Sequence, residues 1–115
     1  MESGLYYSPN KTAQYKYVVI SGATATSTVW TPASGKRIVI TGVCLASTLG
    51  DLITLKVGTS NSNPDTIYAL NVAASTTVTP HLGPIDLSLA NSVLYANASA
   101  PGTNGVRIIV TGFEE

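Results

Sequence analysis

Apolar residues recur at alternate positions in short stretches along this chain, and clusters of Gly, Pro, Ser, Asn and Asp punctuate them. This is the pattern of half-buried β-strands between turns. The first such stretch runs from Tyr15 to Ser21, with Tyr15, Tyr17 and Val19 on one face and Lys16, Val18 and Ile20 on the other. Thr26 to Thr31 follows after a turn at Gly22-Ala23 and carries Val29 and Trp30. The Thr31-Pro32-Ala33-Ser34-Gly35-Lys36 segment predicts a tight turn, with Pro presetting φ and Gly35 supplying a left-handed residue.

The longest stretch is Arg37 to Ser47. Ile38 and Ile40 share one parity, while Val39, Val43 and Leu45 share the other. That pattern predicts burial on both faces, or a bulge at Gly42 that changes the phase. Leu52 to Val57 alternates cleanly as a half-buried strand. The polar Gly58–Asp65 segment predicts an exposed loop. Further strands are predicted at Thr66–Val72, Thr76–Thr79, Ile85–Leu87, Ser92–Asn97 and Val106–Phe113, with Ala98–Gly105 read as a loop. No window carries a helical period free of Gly, Pro or β-branched clusters, so crossover helices for a parallel sheet are lacking. The expectation is an all-β chain: an antiparallel β-sandwich, jelly-roll-like, with eight or nine short strands.

The organisation follows from the same pattern. Residues 1–12 form an N-terminal arm marked by Ser8-Pro9-Asn10 turn chemistry, and 13–115 form the sandwich domain. At 115 residues the chain suits one domain, and with 44% apolar and 10% charged residues it is composed for folding rather than disorder.

Charge narrows the function. Six basic and six acidic residues cancel and form no run of like sign, so a nucleic-acid partner is not expected. No apolar run approaches the roughly 20 residues of a spanning helix, and no secretory signal is read at the N-terminus. Neither a membrane partner nor export is therefore expected. A neutral, charge-poor surface favours association.

Candidate chemistry is sparse. His81, the one histidine, sits in a Pro-rich corner with no nucleophile motif around it. Cys44 lies among Ile, Val and Leu, where a thiol behaves as a small hydrophobe, and a single cysteine makes neither an intramolecular disulfide nor a thiolate zinc site. Asp51 and Asp65 read as turn caps; Asp86 reads as solvent-facing or paired with Arg37 or Arg107. Phosphate-loop, dinucleotide and nucleophile-elbow motifs are absent. Neither catalytic residues, a cofactor nor a metal site is expected. Trp30 and the tyrosines allow a sugar-stacking platform, against the plainer reading that Trp30 plugs one end of the sandwich.

Assembly is the stronger expectation. The last strand is apolar on both faces, with Val106, Ile108 and Val110 opposed to Ile109 and Phe113. An apolar face of this kind needs a cover. Leu5, Tyr6 and Tyr7 make the arm apolar, as in segments ordered by a partner. The candidate partner-binding residues are therefore Leu5, Tyr6, Tyr7, Ile109 and Phe113.

The run Thr28 to Val43, TVWTPASGKRIVITGV, resembles the strand-turn-strand of small tailed-bacteriophage virion proteins, and the ending Gly112-Phe113-Glu114-Glu115 is similar to theirs. The likeness spans about residues 15–115 in strand order and turn placement. It implies a compact jelly-roll domain, often homotrimeric, that decorates or cements a capsid. It implies no catalytic residues, and the arm as the natural anchor on the major capsid protein or another virion protein. The expected location is the virion, assembled in the host cytoplasm. The alternative is a carbohydrate- or receptor-binding β-sandwich module of a phage tail or fibre, with its site on the 58–65 and 98–105 loops.

Overall fold

The computed structural model describes residues 12–22, 26–60, 64–80, 84–87, 89–99 and 101–115. Within them are nine strands and no helix: β1 (Gln14–Gly22), β2 (Ser27–Trp30), β3 (Ile38–Ser47), β4 (Asp51–Gly58), β5 (Asp65–Val72), β6 (Thr76–Val78), β7 (Ile85–Asp86), β8 (Val93–Ala98) and β9 (Gly102–Glu114). They form two antiparallel sheets packed face to face. Sheet A has the order β1-β9-β3-β6, with β7 also on β3; sheet B has the order β2-β8-β4-β5. The chain is therefore an all-β sandwich.

The core is built from the inward parity of both sheets. Ile20, Ile38, Ile40, Leu45, Val106, Ile108 and Val110 come from sheet A, and Trp30, Ile53, Leu55, Leu94 and Ala96 from sheet B. Full burial of each large aliphatic side chain stabilises by about 1.5–3 kcal/mol. β3 shows how the sequence feeds this core. Its pairing with β9 steps from Ile40↔Gly112 to Gly42↔Thr111, leaving one extra residue on β3. That bulge flips the phase, so Ile38 and Ile40 before it and Val43 and Leu45 after it all face the core. Both readings open for this strand hold in part: the bulge changes the phase, and before it Ile38, Val39 and Ile40 are buried on both faces.

The last strand is longer than its apolar run. Gly102–Gly105 continues β9, and Gly102 pairs with Gly22 of β1. The loop expected over residues 98–105 is thus corrected: β8 extends to Ala98, and β9 begins at Gly102. The Gly102 pairing with β1 and the Thr48 amide bonded to the Gly105 carbonyl hold polar residues and glycine that have little strand propensity of their own. The turn after β2 is as expected, with Gly35 at φ 80° and the Lys36 amide bonded to the Ala33 carbonyl at 2.9 Å.

The C-terminal end of β9 is fastened by its two glutamates. The Trp30 indole Nε1–H donates to Glu114 Oε2 at 2.9 Å, and the Ala33 amide donates to Oε1 at 3.0 Å. Arg37 pairs through Nη2 with Glu115 at 2.7 Å and through Nε with Asp86 at 3.1 Å. Burial pushes the Glu114 carboxyl up, but the Trp30 and Ala33 hydrogen bonds, with the Lys16 and Lys36 charges, outweigh it and hold the pKa below its ordinary 4.5. A lowered folded pKa contributes stability that is full above the ordinary value and is lost as pH falls through the folded one. Urea titrations between pH ~6 and ~3 should therefore show a loss of stability in wild type that is smaller in Glu114→Gln. Parallel curves for the two proteins would contradict the assignment.

A second polar cluster lies at the β3–β4 turn. Asp51, 4% exposed, accepts from Ser47 Oγ at 2.8 Å and Ser99 Oγ at 3.4 Å. The Gly50 and Leu52 amides donate to the same two serine oxygens. The carboxylate expected to cap turn amides thus opens β4 and holds the two serines that take those amides.

Candidate functional site

The outer face of sheet A is the feature that the core does not explain. β1 and β9 pair as Tyr15↔Thr111, Tyr17↔Ile109 and Val19↔Arg107, and β9 and β3 pair as Gly42↔Thr111, Cys44↔Ile109 and Ala46↔Arg107. Paired residues project to one side, so these form three rows across one face. The inward neighbours Val18, Ile20, Val43, Leu45, Ile108 and Val110 pack in or against the core, which points the rows outward. Tyr15 is 72% exposed, Tyr17 54% and Ile109 36%. Arg107 is the single charged side chain in the three rows. Depletion of charge with Tyr and Arg retained is the composition of an interface core rather than of ordinary surface.

Why the tyrosines face out is visible in β1 itself. Lys16 takes the inward parity with Val18 and Ile20, and its ammonium lies 5.6 Å from the Trp30 ring centroid. The stem covers apolar surface while the charge meets the indole face. The sequence shows the two faces of this strand but not which one is inside. The more aromatic face is the exposed one, so Tyr15 and Tyr17 were missed as candidates. The signal lay in Ile20, which commits its parity to the core.

Beside the tyrosines is a shallow depression of about 420 Å³, lined by Thr41, Cys44, Thr79, Pro80, Ile109 and Thr111. It follows from the topology. Among the described residues, β7 pairs with β3 at Val39 and Ile40 and β6 pairs at Leu45 to Ser47, so between them β3 has a strand partner, β9, on its other edge only. The gap exposes the β3 edge at the bulge.

The sequence candidates separate on this structure. Ile109 stands in the middle of the exposed face. Phe113 shares its parity but is 6% exposed and lies opposite the fully buried Val39, so it offers almost no surface to a partner. Leu5, Tyr6, Tyr7 and His81 lie outside the described residues. Cys44 is a half-buried free thiol at the rim of the depression. Asp86 pairs with Arg37, one of the two arginines expected for it. Trp30, 1% exposed, has no face for a sugar ring and fills the sandwich instead. Among the described residues no group of three or more His, Cys, Asp or Glu is placed to hold a metal ion. No helix among them is long and apolar enough to cross a membrane. No protein-family model matches the chain, and no curated protein sequence matches it.

Proposed function

We propose that the chain is a virion structural protein, a trimeric capsid-decoration (cement) protein that stabilises a phage head shell. The observation that carries the assembly part is the charge-depleted outer face of sheet A, with Tyr15, Tyr17 and Ile109 in solvent. The virion part is supported by the resemblance of residues 28–43 and 112–115 to tailed-phage virion proteins. The interleaved order of the two sheets is compatible with a jelly roll. The role is mechanical. A trimer touches several capsid subunits at once, and modest contacts acting together give avidity. The arm with Leu5, Tyr6 and Tyr7 is the proposed anchor on the major capsid protein.

Two properties are thereby assigned to separate regions. Deleting residues 1–12 should abolish co-sedimentation with undecorated capsids and leave the trimer intact. Binding to capsids undiminished by the deletion would contradict the anchor, and no binding by the intact protein would contradict the cement role.

A second reading, a carbohydrate- or receptor-binding module of a tail or fibre, draws on the adjacent exposed tyrosines Tyr15 and Tyr17, because aromatic faces stack on sugar rings. Glycan-array binding lost in Tyr17→Ala would favour it.

A further inference from the structure

We infer that a depression beside Arg107, where β9, β3 and β6 adjoin, is a binding site for a carboxylate carried on a hydroxylated body, an acidic sugar of the uronate class. The inference goes beyond both readings above. It uses neither Tyr15 nor Tyr17 and does not rest on self-assembly.

The depression follows from two cross-strand rows. Ala46 of β3 pairs with Arg107 of β9 on one side and with Thr77 of β6 on the other. The three side chains therefore project together from the outer face of sheet A. Two residues further along β3 the pattern repeats. The Thr48 amide donates to the Gly105 carbonyl at 2.8 Å, and the Ser75 amide donates to the Thr48 carbonyl at 3.0 Å. Alanine ends at Cβ and glycine lacks even that. The two rows thus leave a hollow of about 250 Å³ at Ala46 and Gly105, walled by Arg107, Thr48, Ser75 and Thr77.

The walls define the ligand. Arg107 makes no ion pair or hydrogen bond with another described residue. The carboxylate nearest along the chain, Asp51, does not line the hollow and is held by the Ser47 and Ser99 hydroxyls. A guanidinium without a counter-charge presents a planar fork that takes a carboxylate or phosphate through two parallel hydrogen bonds. Arg107 is the one charged residue in the lining. Its single positive charge matches a carboxylate monoanion better than a phosphate of charge near about −2. Hydroxyls set the remainder. Thr76 Oγ1 donates to the Ala74 carbonyl, but the Thr48, Ser75 and Thr77 hydroxyls bond to no other described residue. A hydroxyl both donates and accepts, and so does a sugar hydroxyl opposite it. No aromatic ring lines the hollow, so a flat aromatic acid has nothing to stack on. The volume equals that of about eight liquid waters, room for one sugar ring.

The test is a titration of the full-length, isotope-labelled protein with glucuronate, followed by the amide signals in two-dimensional NMR. Glucuronate should shift the amides of Ala46, Thr48, Ser75 and Thr77 saturably in the millimolar range. Glucose, with the same ring and no charge, should leave them in place. Arg107→Gln should weaken binding about tenfold or more, as expected for a lost charge-assisted contact, and Thr77→Val severalfold. Lys56→Gln removes a cation from the outer face of sheet B and should change nothing. Circular dichroism checks that Arg107→Gln is folded; if it is not, Arg107→Lys, which keeps the charge and loses the fork, should weaken binding in its place. Acetate binding as tightly as glucuronate would overturn the sugar body, and inorganic phosphate binding more tightly would overturn the carboxylate. An absence of saturable shifts with glucuronate, or shifts unchanged in the folded Arg107 variant, overturns the site.

Discussion

Replacing Trp30 with alanine is expected to lower the unfolding free energy by about 3–5 kcal/mol, the range for large aromatic truncations in a core. Two losses add. The indole is 1% exposed and packed in the main core cluster, so its removal leaves a cavity that the two sheets cannot close without moving. Its Nε1–H also donates to Glu114, and truncation deprives a partly buried carboxylate of a donor. Trp30→Phe separates the two: it keeps most of the packing and removes the hydrogen bond, so about 1.5–3 kcal/mol should be lost. Urea unfolding followed by circular dichroism measures both. Equal losses in the two variants would mean that packing contributes little here, against the burial.

Gly112→Ala is the second large effect. A Cβ at this position would overlap the backbone carbonyl of Val39. A flexible side chain can give way; a strand carbonyl inside the sheet cannot, because Gly112 is paired on both sides, with Ile40 and with Gln14. The strands must shift at the bulge that puts both halves of β3 in the core. The expected cost is at the upper end of the ~1–3 kcal/mol typical of overpacking, with thermal unfolding as the readout. Gly35→Ala meets no atom within 4 Å and strains only its own positive φ, for about 1–2 kcal/mol. If Gly35→Ala proved the costlier change, close approach at Gly112 would not be what requires glycine there.

These two sites also show where the sequence is readable. Alternation exposes β4 directly, since Ile53, Leu55 and Val57 mark the inner face. The phase change in β3 was legible as one of two options because Ile38 and Ile40 differ in parity from Val43 and Leu45. What alternation does not carry is pairing. The Trp30–Glu114 contact joins residues 84 positions apart, and nothing local to either residue announces it. The N-terminal third of β9 was hidden because its extension is imposed by residues distant in sequence, Gly22 opposite Gly102 and the Thr48 amide on the Gly105 carbonyl. For the candidate surface, Ile109 was legible from the two-faced last strand, but the same argument placed Phe113 beside it in exposure. Phe113 lies opposite Val39, and both are closed off from solvent. Tyr15 and Tyr17 were visible as a pair sharing one face. Their outward direction follows from Val18 and Ile20 packing inward, with Lys16 of the same parity reaching the Trp30 ring.

The outer face of sheet A is proposed as a contact between copies of this chain. The most direct test is the solution mass of the purified protein by light scattering across a wide concentration range, beside Ile109→Lys. The expected wild-type mass is three times that of the 11.9 kDa chain, and the folded variant should stand at the monomer mass, because a lysine ammonium placed in an apolar contact goes unpaired. A wild-type monomer throughout, or a trimer untouched by Ile109→Lys, would contradict it.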